Sequence, residues 1–300
     1  MFFSNYRPIS VLSTLSKVFE RIMYSRLSSF FRRFEILKGN QFGFREACST
    51  SDAVLEFLND TYSSLEEREH MVAVCLDLTK AFDTIDHRVL YRKLDHVGVR
   101  GLALDWFSSY LCDRQQRIHI GDVHSDISVL SAGVPQGSVL GPLLFILYVN
   151  DMSNVSNSVK FIHYADDTTL YLSGPVATHL VENLDLCLDE LGDWLVSNKL
   201  ILNVTKTQCV LFSNTLKGSD MPLISIRGSV IDWVDSIKFL GIRIDNQMNF
   251  KEHVTGVCTR MSRAVGVIRR LSYDVPDYVL ITLYYSLIYP HMTYLSLIHI

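Results

Sequence analysis

The segment FIHYADDTTLYL, residues 161–172, sets Asp166 and Asp167 side by side between two runs rich in aromatic and β-branched residues. Such runs read as strands, so the acids fall at the tight turn of a hairpin, exposed at one edge of a sheet. Adjacent carboxylates repel unless a cation lies between them and a further acid. A third acid, Asp77, closes the apolar run MVAVCLDL far upstream. If its strand neighbours the hairpin, three carboxylates converge on one point. A set made only of carboxylate oxygens suits Mg²⁺, with Mn²⁺ as a substitute. Two such ions about 3.5–4 Å apart activate one oxygen and stabilise the leaving one in an in-line phosphoryl displacement. Taken without its neighbours, an ADD turn is weak evidence and more often an ordinary acidic hairpin turn.

The elements that would carry these acids are legible in outline. MVAVCLDL (71–78) is a short buried strand. Residues 9–34 place apolar residues at helical spacing with basic residues between them, an amphipathic helix with a positive face. DTIDHRVLYRKLDHVG reads as a helix capped by Asp83 and ended by Gly98, with Asp86 and His87 structural. A second helix covers GLALDWFSSYLCDR, a polar hairpin turns at Gly121-Asp122, and GPLLFILYVNDM is a buried helix. After the acidic hairpin come a helix from about Val176 to Asn198, the strand TQCVLFSN, a hairpin within residues 225–245, and a basic helix from Phe250 to Leu271. This irregular alternation predicts an α+β sheet backed by helices.

Composition places the chain among globular proteins: 300 residues, 48% hydrophobic and 20% charged. The net charge of −4 argues weakly against a nucleic-acid partner, but its distribution matters more. Arg7, Lys17, Arg21, Arg26, Arg32, Arg33, Lys38 and Arg45 face only Glu20 and Glu35 in the first 45 residues. Lys251, Arg260, Arg263, Arg269 and Arg270 face Glu252 alone, and residues 150–200 between these ends are acidic. Basic ends around an acidic middle suit a phosphate backbone held near a metal centre, and equally suit ordinary solvated helix faces. Six scattered cysteines without a CxxC pair read as reduced thiols in a nuclear or cytoplasmic protein that is not secreted. The first residues lack the pattern of a signal peptide. The apolar tail 279–300 is interrupted by Pro290 and polar residues, and reads as a buried helix pair rather than a membrane span. Stopping inside such a segment suggests a fragment.

YADD, together with LDLTKAFDTIDH, SAGVPQGSVLGPLLF and NYRPISVLSTLSKVFE, resembles the reverse transcriptases of non-LTR retrotransposons, most closely the jockey-like group. The four blocks stand in the family's order, and the resemblance runs from Asn5 to about Tyr294. It implies a right-hand polymerase of fingers, palm and partial thumb, with an antiparallel palm sheet backed by helices. Asp77, Asp166 and Asp167 would be metal ligands, joined by the Leu78 carbonyl, with Tyr164 beside the primer end. Phe82 would underlie the nucleotide sugar, where a ring excludes a 2′-OH. Gly133 and Gly137 would allow close backbone approach, and Gln136 would hydrogen-bond the incoming nucleotide. Arg7 would contact the triphosphate through its planar fork. Arg45, in QFGFREACSTSDAV, is a further candidate for phosphate or template contact. Lys206, in LNVTKTQ, would lie near the triphosphate and protonate the leaving pyrophosphate. Phe239, Leu240 and Gly241, in KFLGIRID, would support the primer terminus. On residue type alone, Phe82 is also a core aromatic and Lys206 a surface lysine.

The resemblance divides the chain into fingers (1–70, truncated at the N-terminus), palm (71–87), an insertion (88–128), palm (129–247) and a partial thumb (248–300). It implies RNA-templated DNA synthesis from a DNA primer and deoxynucleoside triphosphates, at no membrane, and names no protein partner. The chain departs from the family in starting at NYRPIS, which omits the preceding fingers strand and its phosphate-binding lysine. No apurinic-type endonuclease precedes that block, no RNase H or zinc knuckle follows, and the thumb stops at Ile300. These departures keep a second expectation open: a truncated copy that folds and binds RNA–DNA duplex without turnover.

Overall fold

The computed structural model describes residues 9–294. Helix α1 (Thr14–Arg33) starts where the Ser13 hydroxyl accepts from the Ser16 N–H and ends in Arg32 and Arg33, cations that suit a helix C-terminus. Helix α2 (Thr50–Glu66) opens with a reciprocal capping box between Ser49 and Asp52. Strand β1 (His70–Leu76) is almost wholly buried, as its continuous apolar run requires. Helix α3 (His87–His96) is capped by Asp86, whose carboxylate accepts from the Val89 N–H at 3.0 Å, and not by Asp83 as expected. The helix starts late because the Phe82 and Ile85 carbonyls accept from Val134 and Gly133 N–H groups of another loop, at 2.9 and 2.8 Å. Helix α4 (Leu102–Leu111) is followed by the polar hairpin. It is built as two short ladders, β2 (Gln115–Gln116) with β5 (Ser128–Val129), and β3 (His119–Ile120) with β4 (Val123–His124).

Helix α5 (Gly141–Tyr148) is buried all round. Strands β6 (Lys160–Tyr164) and β7 (Asp167–Gly174) form the acidic hairpin. Helix α6 (Ala177–Ser197) and strand β8 (Gln208–Phe212) follow where expected. The single hairpin expected in residues 225–245 is two: β9 (Ile224–Ile226) with β10 (Ser229–Trp233), and β11 (Ser236–Phe239) with β12 (Ile242–Asp245). Both loop residues have positive φ in each case, Arg227-Gly228 at 50° and 76°, and Leu240-Gly241 at 43° and 89°, the type I′ pattern. Helix α7 (Lys251–Leu271) carries the basic stretch. Helices α8 (Asp277–Leu287) and α9 (Tyr289–Thr293) form in the apolar tail, but neither contains a buried residue, so the expected burial is not observed there. Among the described residues, no helix is long and apolar enough to cross a membrane.

The main sheet runs β6-β7-β1-β8-β10-β9 and is antiparallel except for β10 beside β8. Period-two alternation divides β1 between two cores. Val72, Val74 and Leu76 face the core built from α3, α5 and α6. Met71 and Ala73 face Val54, Phe57 and Leu58 of α2 with Ile237 and Phe239 of the β11–β12 hairpin. Strand β1 is therefore the covered centre of a three-layer α+β body, and its C-terminal end opens at one rim of the sheet.

Candidate active site

Seven residue pairs, from His70↔Gly174 to Leu76↔Thr168, lock β1 against β7. Extending that register one residue sets Asp77 opposite Asp167. The β6–β7 ladder closes at Tyr164↔Asp167, which leaves Ala165 and Asp166 as a two-residue turn. Ala165 holds φ at 59°, an unfavourable conformation for a side-chain-bearing residue that persists only when its surroundings impose it. The three acids thus share one rim of the sheet, but only Asp166 lies in the turn where both adjacent acids were expected, because Asp167 is already paired with Tyr164 as the first residue of β7.

The segment after β1 fastens this rim from the other side. The Asn203 N–H donates to the Asp77 carbonyl and the Thr79 N–H to the Ile201 carbonyl, both at 2.8 Å. This isolated bridge pairs Leu78 with Leu202, and its two bonds are made by the flanking residues rather than by the Leu78 carbonyl. A 3₁₀ turn, Val204–Lys206, then brings the Lys206 Nζ to 3.8 Å from Asp77 Oδ2. Both side chains are solvent-accessible, so the pair contributes at most about 1 kcal/mol to stability and its interest is its position. Among the described residues, no three His, Cys, Asp or Glu side chains close around a point that could hold a metal ion. The expected convergence is met in backbone placement and not as a closed cluster. Like charges repel without a cation between them, and Asp77 has the Lys206 ammonium as a partner. The donor set still fits a hard divalent ion, because the rim offers carboxylate oxygens from Asp77, Asp166 and Asp167.

Phe82 is half-buried, stacked on Phe145 at 4.6 Å between ring centroids and met edge-on by Phe44 at 6.3 Å. The Gly133–Gly137 loop docks against the turn that carries Phe82. At Gly133, with φ of +86°, a Cβ would stand 2.8 Å from the Asp83 carbonyl oxygen, so only glycine fits that approach. Gln136 Nε2 donates to Asp83 Oδ1 at 3.1 Å, which gives Asp83 a role in this loop instead of the cap. Gly137 is exposed with φ of +95°. The buried Glu20 of α1 accepts from the Val139 N–H at 2.6 Å and holds the loop from beneath.

A cleft of about 630 Å³ opens at the rim, lined by Asp77, Tyr164, Asp167, Lys206, Lys238 and the Phe239–Gly241 turn. Tyr294 closes its far side, donating its hydroxyl to the Leu240 carbonyl at 2.7 Å with its ring against Gly241. Cys75 also lines the cleft, where burial pushes its thiol up to about 11 and keeps it protonated. The Arg45 Nη1 is turned into its own loop, donating to the Lys38 and Gln41 carbonyls at 2.6 and 3.1 Å. Arg7 lies outside the described residues. Sequence reasoning missed Glu20, Lys238 and Tyr294. A lone acid on an apolar helix face was the available signal for Glu20, whereas Tyr294 had none.

Six strands flanked by helices, with acids gathered at one rim of the sheet, form an α+β body of the right-hand polymerase fold, and that fold has solved counterparts. The chain aligns with telomerase from Candida albicans at a TM-score of 0.51, over 96% of this chain and 52% of that one, at 16% identity. Telomerase from Candida tropicalis gives the same score over 78% and 36%, at 13% identity. The family model for reverse transcriptase (RNA-dependent DNA polymerase) matches residues 3–244, and the chain belongs to that family. Among curated relatives, the probable RNA-directed DNA polymerase from transposon BS of Drosophila melanogaster is 32% identical over 89% of this chain and 30% of its own length. The RNA-directed DNA polymerase from mobile element jockey of Drosophila funebris is 28% identical over 90% and 31%. The chain therefore spans about a third of the length of these relatives.

Proposed function

We propose that this chain is the catalytic core of an RNA-directed DNA polymerase of a non-LTR retrotransposon, which joins deoxynucleoside triphosphates to a DNA primer on an RNA template. The observation that carries the reading is the β1–β7 register, which, extended one residue past Leu76↔Thr168, sets Asp77 opposite Asp167 beside the Asp166 turn in a chain of this family. Asp77, Asp166 and Asp167 would hold Mg²⁺, or Mn²⁺ in its place, and the bound metal supplies Lewis-acid stabilisation of charge on the phosphates. Around that centre, Phe82 would exclude a 2′-OH, and the Gly133–Gly137 loop would frame the nucleotide. Lys206, beside Asp77, would give a proton to departing pyrophosphate. Tyr164 and the Phe239–Gly241 turn line the side on which a primer end would rest. The fingers, palm and thumb divisions fit this reading, with Arg7 reserved for the triphosphate. Six unpaired thiols fit a nuclear or cytoplasmic setting.

Primer extension tests the reading: purified chain, a DNA primer on an RNA template, Mg²⁺ and deoxynucleotides, with Asp166→Asn in parallel. Extension by the parent alone is the expected result. Equal extension by both proteins overturns the assignment, and duplex binding without extension by the parent selects the inactive-copy reading instead.

A further inference from the structure

The loop of residues 40–45 lies along β6 on the side away from β7. The His163 N–H donates to the Asn40 carbonyl and the Phe42 N–H to the His163 carbonyl, each at 2.8 Å, forming a parallel bridge between Gln41 and His163. From this seat the Gln41 side chain, only 2% exposed, reaches the acidic turn. Its Oε1 accepts from the Gly43 N–H at 2.8 Å and from the Ala165 N–H at 3.2 Å. Both partners are donors, so the amide oxygen must face the turn. Nε2 is then buried without an acceptor. An apolar residue would fill the same space without that desolvation penalty, so the amide is explained by what its oxygen does.

The backbone approach is equally close. A Cβ on Gly43 would stand 2.2 Å from the Ala165 nitrogen and 2.9 Å from the Tyr164 carbonyl carbon, so only glycine lets the loop lie there. Arg45 braces the loop from behind through the Lys38 and Gln41 carbonyls. Ala165, whose N–H the Gln41 oxygen receives, is the residue held at positive φ, one position before Asp166.

We infer that Gln41 is a positioning residue for the acid pair. By holding the Ala165 N–H it fixes the turn that presents Asp166 and Asp167, and it acts on the metal through that turn without touching substrate. The inference rests on the polymerase reading above. Its test compares the parent with Gln41→Met, which keeps the volume and removes the acceptor, and Gln41→Glu, which restores the acceptor. Mn²⁺ affinity is read by electron paramagnetic resonance, with Asp166→Asn as the control that removes a ligand, and primer extension is run on the same proteins. Gln41→Met is expected to weaken Mn²⁺ binding and lower kcat by about 10-fold or more, with the nucleotide KM within about 2-fold of the parent. Gln41→Glu is expected to recover most of both. Gly43→Ala, which displaces the loop, is expected to weaken Mn²⁺ similarly while circular dichroism shows a folded chain. Unchanged Mn²⁺ affinity in Gln41→Met overturns the inference, as does a loss that Gln41→Glu does not restore. A parent that fails to extend primers while Gln41→Met still weakens Mn²⁺ overturns the polymerase reading and leaves the positioning role standing. A parent that binds no Mn²⁺ overturns the positioning role.

Discussion

Asp166 sits at the tip of the β6–β7 turn, only partly buried, so neutralising it removes a charge without opening a cavity. Asp166→Asn is expected to melt with the parent and to lose single-nucleotide incorporation by at least about 100-fold, a loss measurable in a rapid-quench assay. Phe82 is the opposite case, because its ring is also wedged between Phe145 and Phe44. Phe82→Ala is expected to raise the use of ribonucleotides relative to deoxynucleotides by about 10-fold, read as the ratio of kcat/KM values, while also lowering Tm. His163 gives a pH prediction. Burial, assisted by the charge of Lys38, pushes it down to about 4 from an ordinary 6.5, so the folded chain keeps it neutral. Between those values the unfolded chain binds the extra proton, and stability falls as pH drops from about 6.5 to 4, by on the order of 3 kcal/mol. Denaturant titrations at several pH values check this, with a flatter profile expected for His163→Asn. The three aspartates stand out in the sequence, Asp77 closing an apolar strand and Asp166-Asp167 adjoining between two others, but only the neighbouring blocks lift the ADD pair above an ordinary acidic turn. The roles of Gln41 and Glu20 were not, because they arise from hydrogen bonds across 124 and 119 residues of chain.

The elements held or failed for identifiable reasons. Strand β1 was readable because both of its faces are covered, which demands an uninterrupted apolar run. The α3 start was misread because Asp83 looks like a cap, whereas the carbonyls of its turn are committed to Gly133 and Val134. The same contact predicts that Gly133→Ala, at φ of +86°, costs about 1–3 kcal/mol. If the loop frames the nucleotide as proposed above, the substitution should also raise the nucleotide KM more than it lowers kcat; melting and steady-state kinetics together check this. Helix α2 supports the second core through Phe57, fully buried against Tyr171, Phe212 and Phe239. Phe57→Ala is expected to destabilise the chain by about 3–5 kcal/mol in urea unfolding, since it opens a void between the sheet and the β11–β12 hairpin. Burial of the tail helices could not be read correctly from hydropathy, which registers apolar residues but not whether a partner surface is present.

For the whole molecule, the net charge conceals a division of labour. Helix α7 exposes Lys251, Arg260, Arg263, Arg269 and Arg270 on a chain whose formal charge is −4. Binding of an RNA–DNA duplex should therefore weaken steeply with salt, and replacing Arg263 by Ala should reduce the slope of log K against log salt by about 1, as followed by fluorescence anisotropy. The sheet order has a consequence for synthesis of the chain. Strand β1 is central, yet both of its neighbours, β7 and β8, are encoded much later. At about 5–20 residues per second, a bare apolar segment with two unsatisfied edges waits on the order of 10 s outside the ribosome before it can be paired. The segment that delivers Asp77 to the rim is thus also the stretch most exposed to chaperones and to aggregation while translation proceeds, and slower elongation should lengthen that exposure and lower the soluble yield.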